Sequence, residues 1–100
     1  MVVIKNPQDY KLVRFEVSKD GKHKYNAILE HKKTGKQRNV PFGGIKADGT
    51  PYQHYHDKIG KYSKYDHLDK LRRQSYRIRH RGEDKMKFSS GWFSLRFLWT

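Results

Sequence analysis

Six cations crowd the stretch from residue 70 to residue 81: Lys70, Arg72, Arg73, Arg77, Arg79 and Arg81. Arginine outnumbers lysine there by five to one, and its planar fork grips two phosphate or carboxylate oxygens at once, where lysine offers a point charge. Carried on a helix, such a run lies along a nucleic acid with guanidiniums on phosphates. The bland alternative is the solvated face of a helix. A second basic set, Lys22, Lys24, Lys32, Lys33, Lys36 and Arg38, falls among turns and strand ends. There lysine usually solubilises or guards a sheet edge. Lys33, Lys36 and Arg38 join the candidate nucleic-acid contacts only if they share a side with the basic helix. Tyr52, Tyr55, Tyr62 and Tyr65 are interleaved with His54, His56, Lys58, Lys61 and Lys64. This mixture suits stacking on single-stranded bases, or the packing of a long loop with hydroxyls in water.

Six histidines raise the question of a metal, above all His54-x-His56-Asp57 with His67 nearby. Two ligands at i and i+2 share a metal only from one strand face or a loop, and no third ligand has diagnostic spacing. Cysteine is absent, which excludes thiolate sites, disulfides and thiol catalysis. No phosphate-cradling Gly-Lys-Thr loop, nucleophile elbow or dinucleotide fingerprint occurs. Asp57, Asp66 and Asp69 do not form a recognised carboxylate cluster for a nuclease metal. The expectation is a protein that binds and does not catalyse, without metal or cofactor.

The elements that position these residues must come from one small domain. In 100 residues, 23 Lys and Arg face 10 Asp and Glu, a net charge of +13 that points to an anionic partner. Leu, Ile, Val and Phe make 21 residues, barely above the roughly 20% below which a highly charged chain stays disordered. Fourteen aromatics tip the balance toward folding, because each removes roughly 150 to 250 Å² from water when buried. The opening apolar run Met1-Val2-Val3-Ile4 is too short for a secretion signal or a membrane span, so the expected location is a cell interior or a particle.

Alternation predicts a three-stranded antiparallel meander over about 10–42. Val13, Phe15 and Val17 share one face, as do Tyr25, Ala27 and Leu29. Asp20-Gly21 marks the first hairpin and Thr34-Gly35 the second, while Pro41 suits an edge strand. A long loop is expected at about 43–64, broken by Gly43-Gly44, Asp48-Gly49 and Gly60. A helix follows at about 66–81, capped by Asp66 or Ser63, with Gly82 as its stop. Leu68, Leu71, Ser75 and Ile78 fall within about 80° of arc and are expected to face the sheet. Lys70, Arg73, Arg77 and Arg81, about 130° away, are expected to face outward. The aromatic end is read as a short helix capped by Ser89 or Ser90. It either completes the core or docks on a partner through Trp92, Phe93 and Trp99. The fold class is α+β, the meander being packed by the basic helix and closed by the aromatic one.

Phe42-Gly43-Gly44, the tyrosine-rich segment, Asp69-x-x-Arg72-Arg73-x-x-Tyr76-x-x-Arg79-His80 and Leu98-Trp99 resemble a group of small basic proteins encoded by large double-stranded DNA viruses of algae and protists. The resemblance covers about the last 60 residues. It implies a viral setting, either a virion component or a factor acting on viral nucleic acid, and brings no activity with it. The residues favour electrostatic binding of nucleic acid or another polyanion with little sequence discrimination. The alternative is a minor capsid or cement protein, whose arginines pair with acidic coat-protein surfaces and whose aromatic terminus anchors in its pockets.

Overall fold

Turn chemistry closes both hairpins in the computed structural model, which describes residues 2–100. Asp20 Oδ1 accepts the backbone N–H groups of Lys22 and His23 at 2.8 and 2.9 Å, and Gly21 takes the left-handed φ of +73° that the first turn needs. Three strands follow from this: β1 (Tyr10–Val17), β2 (His23–His31) and β3 (Gln37–Gly44), antiparallel in the order β1-β2-β3. The meander and the α+β class are as the alternation predicts, and Pro41 lies on an edge strand. Tyr25, Ala27 and Leu29 of the central strand are buried, flanked by Val40 and Phe42 of β3. A bulge between Leu12 and Arg14 shifts the phase of β1. Leu12 and Phe15 therefore pack on the core while Val13 is exposed, and Val17 is exposed as well.

The cover over this sheet is where sequence and structure part. Helix α1 runs Lys70–Arg79 and helix α2 runs Ser90–Phe97. The Ser89 side chain caps α2 by accepting Trp92 N–H at 3.1 Å, as its position before the aromatic run predicts. Phe93 of α2 is wholly buried, stacked on Phe42 at 5.4 Å and edge-on to Phe15 at 5.9 Å. The aromatic helix, not the basic one, closes the core. No residue of α1 is buried. Leu71 is 76% exposed and Ile78 57%, and Leu68, just before the helix, is also exposed. The expected inward face of α1 thus points to solvent. The reason is occupancy: α2 and Phe88 already fill the sheet's inner face with rings, leaving α1 to attach by other means.

The ends of α1 differ too. Asp69 is its cap, accepting the N–H groups of Leu71 and Arg72 at 3.0 and 3.2 Å, and Asp66 is spent elsewhere. Past His80 the chain tightens into a 3₁₀ turn, Arg81–Lys85, which absorbs Gly82 instead of stopping there.

Truncation separates the two helices. Phe93→Ala is expected to cost about 3–5 kcal/mol in urea denaturation, and Ile78→Ala about 0.5 kcal/mol or less. The opposite order would mean that α1 covers the sheet.

Candidate nucleic-acid interface

Helix α1 attaches through its polar and aromatic side. Tyr76 stacks on Trp99 with ring centres 4.0 Å apart and planes within 4°, and His80 stacks on Tyr76 at 4.1 Å. Burial pushes the Tyr76 hydroxyl up to about 12, with the Glu83 carboxylate adding to it. Arg73 lays its guanidinium over the Tyr55 ring at 4.6 Å. Arg77 Nη1 donates to the carbonyl oxygens of Leu95 and Trp99, at 3.1 and 3.2 Å, and to Thr100 Oγ1 at 3.3 Å. The Leu95 carbonyl lies in the last turn of α2 and that of Trp99 just past it, where a cation is favoured by the helix dipole. Arg73 and Arg77, expected to face outward, are therefore turned inward and half-buried. A guanidinium has five donors and a flat face, so it satisfies free carbonyls and stacks on rings better than leucine or isoleucine does.

The outward side of α1 is a ridge. Leu71, Gln74, Ser75 and Ile78 are all exposed along its crest. A groove of about 570 Å³ runs down one flank, where Leu71, Gln74 and Ile78 meet Lys70 and Arg81. A second depression of about 350 Å³ lies on the other flank, where Leu71 and Ser75 meet Arg72 and Arg79. Cations thus stand on both sides of a mixed apolar and polar crest. Among the described residues the ion pairs lie elsewhere: Lys11–Glu30, Arg14–Glu16, Asp20–His23, His54–Asp66, His80–Glu83 and Arg96–Asp84. The Arg72 guanidinium donates to the Gln53 side chain, at 3.0 Å. Among the described residues Lys70, Arg72, Arg79 and Arg81 are in no ion pair, and Asp84, which lines the same groove as Lys70 and Arg81, is paired with Arg96.

The remaining candidate contacts are scattered. Lys33, Lys36 and Arg38 are exposed around the β2–β3 hairpin. Arg72 and Arg79 share a cavity of about 300 Å³ with Gly43 and Gly44, at the other end of β3. From Arg38 to Gly44 is roughly 20 Å of strand at about 3.3 Å per residue, so the hairpin cations are not brought to α1. The aromatic docking residues are also accounted for within the fold. Phe93, expected as a partner anchor, is in the core, because its ring is the one that α2 inserts between Phe42 and Phe88. Trp92 is half-buried under the Arg96 guanidinium at 4.6 Å, and Trp99 is held by Tyr76.

Sequence reasoning missed a buried polar chain that pins the long loop to the sheet. Lys24, counted above with the surface lysines, is 1% exposed and donates to His54 Nδ1 at 3.1 Å. An ammonium only donates, so His54 carries its proton on Nε2 and gives that hydrogen bond to Asp66 Oδ1 at 2.6 Å. The same Asp66 oxygen accepts Asp57 N–H at 2.8 Å. Asp57 Oδ2 accepts the Tyr25 hydroxyl at 2.5 Å and Tyr62 N–H at 2.8 Å, and its Oδ1 accepts Ile59 N–H. The tyrosines also serve packing: Tyr62 sits edge-on to Tyr25 at 5.3 Å. Both ring nitrogens of His54 are spent in this chain, and no group of three or more metal-binding side chains occurs among the described residues. The one mark of it in the sequence is the Gly43-Gly44 pair, whose reason only the fold shows. Gly43, at φ +77°, leaves room that a Cβ would fill 3.1 Å from the Lys24 stem and from Leu98.

Charge states follow from this burial. Lys24 is pulled down to about 8 by desolvation, partly offset by Asp57 and Asp66. Desolvation, then the Lys24 charge, lowers His54, and desolvation followed by Arg72 lowers His67. Burial raises Asp57, but the Tyr25 hydroxyl and backbone N–H groups together outweigh it and hold the carboxyl below its usual value. No family model matches the chain, nor does any curated protein or solved structure, so its own geometry carries the functional reading.

The linkage has a definite sign on both sides of neutrality. Below pH 6.5 unfolded histidine takes a proton that folded His54 and His67 resist, so the urea midpoint is expected to fall from pH 7 to pH 5. Between pH 8 and pH 10 the folded Lys24 releases a proton that the unfolded chain retains, so this group adds stability as pH rises. That gain should vanish in Lys24→Met. A gain that persists in the variant would refute the role of Lys24.

Proposed function

We propose that this is a non-enzymatic protein that binds nucleic acid through the outward face of α1. In the viral setting that the resemblance implies, it would be a virion-associated component acting inside the particle or the host cell. The observation that carries this reading is the unneutralised state of Lys70, Arg72, Arg79 and Arg81, four cations on two flanks of one exposed ridge with every ion pair elsewhere among the described residues. A net charge of +13 favours the same kind of partner. The polar groups capable of proton chemistry, Lys24, His54, Asp57 and Asp66, are engaged with one another, which supports binding over catalysis. The coat-protein alternative loses its central anchor, because Phe93 belongs to the core.

Four phosphate contacts predict that log K falls against log salt with a slope of about −3.6 on duplex DNA. Arg72→Ala and Arg79→Ala are each expected to reduce the slope by about one. Arg73→Ala and Arg77→Ala should instead leave the slope alone, and Arg77→Ala should lower stability by about 1.5–3 kcal/mol through its lost charged hydrogen bonds. Fluorescence anisotropy over a salt series, with urea melts on the same variants, reads both. Affinity indifferent to salt, or no affinity, would refute the proposal.

A further inference from the structure

The crest of α1 is more specific than an electrostatic surface requires. A face that met phosphates alone would be cationic throughout, yet between its flanking cations lie Leu71, Gln74, Ser75 and Ile78. Leu71 and Ile78 are seven residues apart, two turns of helix, and so stand on one line along the axis. Two exposed aliphatics in line on the chain's most charged element have an apolar complement to find.

We infer that α1 is a recognition helix that enters the major groove of B-form DNA, with Leu71 and Ile78 against thymine methyl groups. This rests on the nucleic-acid reading above and names its substrate class. The dimensions agree: a helix with its side chains is about 10–12 Å across, and the major groove is about 12 Å wide. Charge complementarity agrees as well. Phosphates of the two strands line the two edges of that groove, and the ridge carries Lys70 and Arg81 on one flank and Arg72 and Arg79 on the other. Ten residues with no acidic side chain make up the helix, Asp69 before it is turned to its own cap, and Asp84, the one carboxylate side chain lining the groove on the Lys70 flank, is paired with Arg96. The only apolar group on the floor of the groove is the thymine C5-methyl, and the adenine paired with it offers the donor and acceptor that a glutamine such as Gln74 reads.

Duplex RNA fits poorly, because its major groove is deep and narrow and uracil has no methyl group. Single strands fit poorly too. They are held by stacking on several free aromatic faces, whereas Tyr76, His80 and Trp99 are stacked on one another and leave Tyr52 as the exposed ring near Arg72 and Arg79.

The test compares three duplexes of one A·T-rich sequence by competition anisotropy: DNA with thymine, DNA with deoxyuridine in its place, and RNA. The thymine duplex is expected to bind about fivefold or more tighter than the deoxyuridine duplex, since burying one methyl is worth roughly a factor of four. RNA is expected to bind more weakly still. Leu71→Ala with Ile78→Ala should bring the thymine and deoxyuridine duplexes level while leaving the salt slope at about −3.6. Both residues are exposed, so an unchanged urea midpoint confirms that the variant is folded. Equal binding of thymine and deoxyuridine DNA by the wild-type chain, with the slope intact, would overturn the groove assignment and leave the electrostatic reading standing. Loss of all salt-dependent binding would overturn both, and the ridge would then belong to an acidic protein surface.

Discussion

The Tyr76–Trp99 stack and the three hydrogen bonds from Arg77 to the end of α2 decide which side of α1 meets the outside. A parallel ring pair 4.0 Å apart fixes the rotation of the helix about its axis, and the guanidinium fixes its height along α2. With those contacts made, Leu71 and Ile78 have nowhere to go but solvent. A ten-residue helix is marginal on its own in water, so these few contacts also hold it in helical form. Asp69 contributes by satisfying two of its free N–H groups.

Beneath that attachment lies a division of labour among the charges. The sheet and α2 bury the rings that give the chain a core despite its high charge. Lys24, His54 and Asp66 are linked end to end, with Asp57 and Tyr25 joined alongside, so that the long segment after β3 is held with little regular structure beyond the 3₁₀ turn Ser63–Tyr65. The acidic residues are mostly spent on pairs, caps and turns. No arginine or lysine of α1 is in an ion pair among the described residues; Arg73 and Arg77 are held by neutral partners, Lys70, Arg72 and Arg79 face outward, and a polyanion bound there would stabilise the fold by mass action while relieving repulsion within the chain.

Much of the fold was legible in the sequence. The Asp20-Gly21 turn, the alternation of Tyr25, Ala27 and Leu29, and the serine cap before Trp92 each have local causes and appear where local causes put them. The orientation of α1 was not legible. A helical wheel sorts side chains by polarity, but Arg77 and Arg73 are drawn inward by carbonyl oxygens and a tyrosine face contributed by distant segments. Lys24 was hidden for a similar reason, since its partner His54 lies 30 residues away and only the fold brings them together. Of the candidate contacts, Lys70, Arg72, Arg79 and Arg81 are exposed, as their place in a charged run suggests, while Arg73, Arg77 and Phe93 turn out to hold the protein together.

The central claim is that the crest of α1, and not the hairpin lysines, is the surface that receives DNA. Backbone amide NMR of the labelled protein during titration with a thymine-bearing duplex tests it most directly. The account predicts that the amides of Leu71, Gln74, Ser75 and Ile78 move while those of Lys33 and Lys36 stay in place. Shifts concentrated on the β2–β3 hairpin, with α1 unmoved, would contradict it.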